Sequence, residues 1–199
     1  MASDFGISRQ SIREALYRAE IMGLVEVRQG EGSFVLSSVR ESLKPPLLVL
    51  LEEEAGRIFE FLEVRKLIEG WCAEKAAIEA TDEDLEKMEG ILEKMEKLVP
   101  TDREWEGTDV EFHLSIAAAT HNVIAIHIME ALKDSFGSFF RFRKVLTRPE
   151  KKDLLWQHHH EIYRAISQRD PFLAKRKIVY HLDFIEKKIA EEMEKMQTH

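Results

Sequence analysis

Residues 155–166 read LWQHHHEIYRAI, and the spacing of their apolar residues predicts a helix that is buried along one side. The positions that share this side are Leu155, His159, Ile162 and Ile166. A histidine therefore stands inside an apolar stripe. His158 could also reach the inward face, and periodicity alone prefers His159 only slightly. The stretch indicates a helical core that contains an ionisable group.

The same helical spacing continues on both sides of this stretch, and no strand pattern appears from residue 57 onward. Thr81 and Asp170 stand where helix N-caps are expected, and Thr101 begins a capping-box pattern. These signals predict helices over residues 57–80, 82–98, from just after 101, from about 122 to before 149, 149–168 and 170–196. Residues 57–199 are therefore predicted to form an all-helical bundle.

The first forty residues follow a different pattern. Apolar residues at helical spacing cover residues 9–22, and Ser8 stands as their N-cap. Two strand-like runs follow, and the glycines between them suit a tight hairpin. A helix followed at once by a two-stranded ribbon is the C-terminal portion of a winged helix-turn-helix. The predicted fold is mainly α, with a partial winged helix-turn-helix in residues 1–38, a linker in 39–56 and the all-α bundle in 57–199.

Composition limits the class of protein. The single cysteine, Cys72, excludes an internal disulfide framework and fits a reducing cytoplasm. No apolar run approaches a membrane span of about 18 residues, so we expect no membrane partner. Residues 1–40 hold five basic and five acidic side chains, and the net charge of −8 therefore lies in residues 41–199. Any contact with DNA should come from the first forty residues.

The polar face of the first helix carries side chains that can read base edges. Arg9, Arg13 and Tyr17 lie four residues apart, and Gln10 lies beside them. Arginine and glutamine make paired hydrogen bonds to guanine and adenine in the major groove. An ordinary solvated helix face is the alternative, but the wing that follows, with Arg28 at its base, favours DNA.

Ionisable residues also interrupt the apolar stripes of other helices. Asp109 and His113 lie one turn apart on one face, His181 lies in a stripe with Ile178 and Ile185, and Arg65 lies between Leu62 and Cys72. Burying such groups unpaired costs several kcal/mol each. That cost disappears if Asp109 and three histidines converge on a divalent metal, and Arg65 could then face an anionic ligand. Two alternatives remain at this point: a metal-dependent hydrolase, and a helical interaction protein with a buried hydrogen-bond network.

Taken in order, these segments resemble the GntR superfamily of bacterial regulators, in the FadR-type branch with an FCD effector domain. Residues 5–16 (FGISRQSIREAL) resemble the recognition element of the family, and residues 23–25 and 30–35 resemble its wing. Residues 63–65, 109–113, His159 and His181 resemble the FCD pattern, and the 22-residue step between the two histidines favours His159 over its neighbours. Members of the family begin about 30 residues further upstream, so we expect this chain to be N-terminally truncated or weakened in DNA binding.

The resemblance implies a transcription regulator, with no enzymatic activity, that binds double-stranded operator DNA of pseudo-palindromic sequence as a homodimer. A repressor is the expected sense of regulation, and a small carboxylate metabolite is the expected effector. The implied cofactor is a divalent ion, zinc or nickel, held by Asp109, His113, His159 and His181. Arg65 and Asn122 resemble positions near the effector pocket. The residues expected to contact DNA are Ser8, Arg9, Gln10, Arg13, Arg28 and Gly30.

Overall fold

The computed structural model describes residues 8–21, 25–28, 32–35, 57–98, 103–136 and 149–197. The N-terminal elements are a helix and a hairpin: α1 (Arg9–Ile21), β1 (Val25–Arg28) and β2 (Gly32–Val35). The remaining elements are all helices: α2 (Arg57–Glu79), α3 (Asp82–Lys97), α4 (Arg103–Ala118), α5 (Val123–Phe136), α6 (Pro149–Ser167) and α7 (Pro171–Gln197). The predicted helix bounds differ from these by a few residues at most wherever both ends are described.

The two strands form the predicted wing. They pair antiparallel in a register that sets Val25 opposite Val35 and Arg28 opposite Gly32. Gly32 has a φ of 120°, a backbone conformation that favours glycine, as expected where the chain leaves a tight turn. The turn itself, with Gly30, lies outside the described residues. Helix α1 packs beside β1, so the helix-then-hairpin arrangement of the prediction is present.

Helix ends in the bundle are fixed by side-chain caps. Thr81 and Asp84 form a capping box at the start of α3, in which each side chain accepts from the backbone N–H of the other residue. Asp170 accepts a hydrogen bond from the backbone N–H of Leu173 at 2.9 Å in the first turn of α7. Both N-caps were predicted from the sequence and are confirmed. Thr101, the third predicted cap, lies outside the described residues.

Helix α2 organises the bundle because it packs against α4, α6 and α7. Helix α7 also packs on α6, and α4 packs on α3 and α5. Fully buried side chains fill the space between them, among them Leu62, Phe112, Ile162 and Ile178. Each such side chain contributes about 1.5–3 kcal/mol through its removal from water. The inward stripes of four helices, α2, α4, α6 and α7, therefore meet in one core. Among the helices described, none has both the length and the apolar character to cross a bilayer.

Candidate metal and effector site

Four ionisable side chains from three helices meet inside the bundle. Asp109 and His113 come from α4, His159 from α6 and His181 from α7, and one possible ligand atom of each lies within 4.8 Å of all the others. Two ligands on metal bonds of 2.1 Å can be at most about 4.2 Å apart, so the set is close to the size of a coordination sphere. The structure thus brings together the four residues that the sequence predicted as metal ligands.

Two histidines of this cluster, His159 and His181, are buried without the hydrogen bonds that buried imidazoles normally have. His159 and His181 have no exposed surface. Among the described residues, neither ring nitrogen of either histidine has a hydrogen-bond partner, although Nε2 of His159 lies 3.2 Å from Oδ1 of Asp109. A buried polar group left unsatisfied costs about 1–3 kcal/mol. Unpartnered imidazole nitrogens that lie close to a carboxylate in a buried cluster fit the donor set of a divalent ion, and the residues present therefore suit one.

The electrostatics of the cluster keep two of its imidazoles, those of His159 and His181, neutral. Burial lowers the pKa of His159 and His181 well below the ordinary value of 6.5, and the neighbouring histidines lower both further. Burial also raises the pKa of Asp109, although the charges of His113 and Arg65 oppose that change. A neutral imidazole is the form that coordinates a metal, so His159 and His181 are already in the binding form near pH 7.

A second carboxylate, which the sequence did not indicate, lies at the edge of the cluster. Glu69 on α2 is 1% exposed. One of its oxygens, Oε1, lies 2.5 Å from Nε of Arg65, and the other, Oε2, lies 2.5 Å from Nδ1 of His113. Burial alone would raise the pKa of Glu69, but the charges of Arg65 and His113 outweigh it and lower the pKa to about 2. Glu69 is therefore ionised at neutral pH, between α2 and α4.

The two residues predicted to bind the effector lie in different surroundings. Arg65 is 4% exposed, and its charge affects Asp109 and the buried histidines as well as Glu69. Asn122 is exposed, and its Oδ1 accepts from the backbone N–H groups of Ile124 and Ala125, both at 3.0 Å. Asn122 is thus the N-cap of α5, a role that the sequence reasoning did not give it.

His158 is buried beside the cluster but is not part of it. Its ring lies edge-on to Tyr180 and Phe184, with centroids 5.2 and 5.1 Å away, and contacts His181 at 5.8 Å. His159, by contrast, lies 5.4 Å from His113 and 4.5 Å from His181 by ring centroids. The choice of His159 as the residue that joins the other ligands agrees with this geometry.

The residues predicted to contact DNA are exposed wherever they are described. Ser8 caps α1 by accepting from the backbone N–H of Ser11 at 3.1 Å. Gln10 and Arg13 lie exposed on α1. Arg28 is exposed on β1, where it pairs with Glu26 at 3.0 Å and stacks over the ring of Phe34. The side chain of Arg9, and Gly30 as a whole, lie outside the described part of the chain.

Two family models match the chain. Residues 60–184 match the FCD domain, and residues 1–35 match the model of bacterial regulatory proteins of the gntR family. The chain is 31% identical over 189 residues to the HTH-type transcriptional regulator LutR of Bacillus subtilis (strain 168), covering 94% of this chain and 86% of LutR. It is 29% identical over 191 residues to the putative L-lactate dehydrogenase operon regulatory protein of Escherichia coli (strain K12), covering 93% and 73% of the two chains.

Comparison with a solved structure supports the same family. The GntR structure of Streptococcus agalactiae superposes with a TM-score of 0.72 at 26% identity, covering 94% of this chain and 85% of that one. The family and these relatives are transcription regulators and not enzymes, so the hydrolase alternative has no support. The chain belongs to the GntR family of bacterial transcription regulators, and its helical bundle is an FCD domain.

Proposed function

We propose that this GntR-family regulator is a repressor that binds a pseudo-palindromic operator as a homodimer and responds to a small carboxylate bound at a metal in the bundle. The observation that carries the metal part of the proposal is the meeting of Asp109, His113, His159 and His181 within 4.8 Å. The unpartnered nitrogens of His159 and His181 argue against a plain hydrogen-bond network, because such a network would satisfy them.

Asp109, His113, His159 and His181 would hold the ion. Three imidazoles and one carboxylate suit zinc or nickel better than calcium or magnesium, which prefer oxygen ligands. When bound, the ion supplies a Lewis-acidic centre with positions open to carboxylate oxygens. Asp109 is the most exposed of the four, with 27% of its side-chain surface accessible, and we place the entry of the effector on its side.

Charge balance indicates which carboxylates fit. With the imidazoles in the neutral form that metal binding requires, the site holds the positive charge of Arg65 and the negative charges of Glu69 and Asp109, a net charge of −1. A divalent ion would change this to +1, which one monocarboxylate neutralises. A hydroxy- or keto-acid fits best, and the relative named for an L-lactate dehydrogenase operon supports the same class. Arg65 would supply positive charge to the effector, and the side-chain amide of Asn122 would donate to it.

DNA binding is assigned to α1 and the wing. Gln10 and Arg13 lie exposed on α1 and can reach base edges, while Arg28 lies exposed on β1, where it would contact phosphates. A homodimer matches the two-fold symmetry of a palindromic site, with one copy on each half-site. Helix α2 offers a surface for the second copy, since large apolar side chains are exposed along it: Val64, Leu67, Trp71 and Ile78.

A thermal-shift screen tests the effector assignment. Protein purified without a chelator or a nickel column is first analysed for metal, and stoichiometric zinc or nickel is expected. The chain is then melted with small mono- and dicarboxylates, with and without a divalent ion. We expect monocarboxylates to raise the melting temperature only with the ion present. At a ligand concentration of a hundred times Kd, binding should add about 2.7 kcal/mol to the free energy of unfolding. Equal shifts in metal-free and metal-loaded protein would refute the metal-assisted site.

A further inference from the structure

We infer that Glu69 is a positioning residue of the metal site: it fixes the proton of His113 on Nδ1 and so leaves Nε2 of that ring as the metal-binding atom. The inference rests on the proposed metal site. It concerns a residue outside the four-ligand set, on a helix, α2, that supplies none of the four ligands.

The first step is the contact between Glu69 and His113. Oε2 of Glu69 lies 2.5 Å from Nδ1 of His113, and both side chains are 1% exposed. Two electronegative atoms this close inside a protein share a proton, and a carboxylate that is paired with an arginine acts as the acceptor. Nδ1 of His113 is therefore the donor. With the proton on Nδ1 directed at Glu69, Nε2 is the nitrogen left to offer its lone pair to a metal.

The second step is the contact between Glu69 and Arg65. Nε of Arg65 donates to Oε1 of Glu69 at 2.5 Å, one helical turn away on α2. A guanidinium nitrogen can only donate, so the atom of residue 69 that faces Arg65 must be an acceptor. Arg65 thus fixes the orientation of the carboxylate, and the carboxylate fixes the tautomer of His113. Metal-binding histidines commonly depend on such a partner, and its loss weakens metal affinity by about 10–100-fold.

This chain of donors and acceptors makes an unusual prediction for Glu69→Gln. The introduced amide has one acceptor and one donor. Its oxygen must face Nε of Arg65, so its NH2 group faces Nδ1 of His113, which must then accept. The proton of His113 moves to Nε2 and blocks the metal-binding atom. In Arg65→Met/Glu69→Gln, nothing forces this orientation, and the amide oxygen can turn to Nδ1 again.

The experiment measures Zn²⁺ affinity by competition with a chromogenic chelator in the full chain, together with the His113 tautomer by 15N NMR of the metal-free protein. The variants are Glu69→Gln, Arg65→Met/Glu69→Gln and, as a matched control on the exposed side of α2, Glu63→Gln. We expect Glu69→Gln to bind Zn²⁺ about 10–100-fold more weakly and to carry the Nε2–H tautomer. The double variant should recover part of the affinity and the Nδ1–H tautomer, while Glu63→Gln should match the wild type.

Several outcomes would overturn the inference. Wild-type Zn²⁺ affinity in Glu69→Gln, or a tautomer of His113 that does not change, removes the positioning role and leaves the metal site intact. A double variant that is folded by its melting curve but binds as weakly as the single variant also removes it. A wild-type chain that binds no Zn²⁺ refutes the proposed metal site, and the inference with it, so the two failures are distinguishable.

Discussion

The bundle and the N-terminal segment use polar side chains in opposite ways. In the bundle, His113, His159 and His181 are at most 2% exposed. On α1, Gln10 and Arg13 are exposed to solvent. A buried polar group must find a partner or lose about 1–3 kcal/mol, so its surroundings restrict what it can do. An exposed polar group has no such requirement. The roles of the bundle residues therefore follow from their contacts in the structure. The roles of the α1 residues rest on the resemblance of α1 to a recognition helix.

We expect the largest effect, a loss of Zn²⁺ affinity, in the buried bundle. Alanine substitution of three consecutive histidines tests it. His159 belongs to the cluster, His158 is buried beside it, and His160 is exposed. His159→Ala removes one of the four ligands, and we expect Zn²⁺ affinity to fall at least about 100-fold, since losing a ligand should exceed the effect of losing its supporting partner. His158→Ala and His160→Ala should bind within a few-fold of the wild type. Competition titration of Zn²⁺ measures all three.

Melting curves complete that scan. His159→Ala should remove the rise in melting temperature that Zn²⁺ gives the wild type, because one of the four ligands is lost. The metal-free form should also melt at a lower temperature, because the fully buried ring leaves a cavity. If His158→Ala weakened Zn²⁺ binding more than His159→Ala, the assignment of His159 would be wrong, and His158 would be the metal ligand.

Helical periodicity was sufficient to predict that His159 and His181 are buried, because each sits in a continuous apolar stripe. It could not predict Glu69. Ile68 and Glu69 lie three and four residues after Arg65, so both are candidates for the same face, and the apolar residue appeared the better choice. The structure leaves Ile68 half-buried and buries Glu69, because the charges of Arg65 and His113 compensate its carboxylate. That compensation comes partly from another helix, and a pattern along one helix cannot show it.

The convergence of the four ligands was also beyond periodicity. A stripe tells which face of α4, α6 or α7 is buried but not which helix lies opposite. The cost of burying unpaired ionisable groups led to the prediction that they converge, and the resemblance to the FCD pattern added the spacing that connects His159 with His181. The structure places these two rings 4.5 Å apart. In residues 8–35 the elements were predicted well, since caps and glycines act locally. Ile12 and Leu16 are only half-buried and Ala15 is exposed, so the predicted apolar stripe of α1 is covered only in part by the described residues.

The next effect tests the exposed side of the comparison. Arg13 and Arg18 are both exposed on α1, but five residues place them on different faces. Arg13→Ala should weaken binding to a DNA fragment that the wild type recognises by about 5–150-fold, the effect of losing one base contact of about 1–3 kcal/mol. Arg18→Ala should have a much smaller effect. Fluorescence anisotropy at fixed salt measures both, and equal losses would indicate a general electrostatic contribution in place of base recognition.

The smallest effect concerns Asn122, which combines features of both regions because it is exposed yet fixed by two hydrogen bonds to the first turn of α5. Asn122→Ala should lower the free energy of unfolding by about 1 kcal/mol through loss of the N-cap. Asn122→Asp keeps the acceptor and should keep the stability, but it removes the amide donor and adds a negative charge. If Asn122 binds the carboxylate effector, Asn122→Asp should therefore lose effector affinity while its denaturation midpoint stays at the wild-type value. An unchanged effector affinity in that variant would limit Asn122 to capping and leave Arg65 as the only predicted effector contact outside the metal cluster.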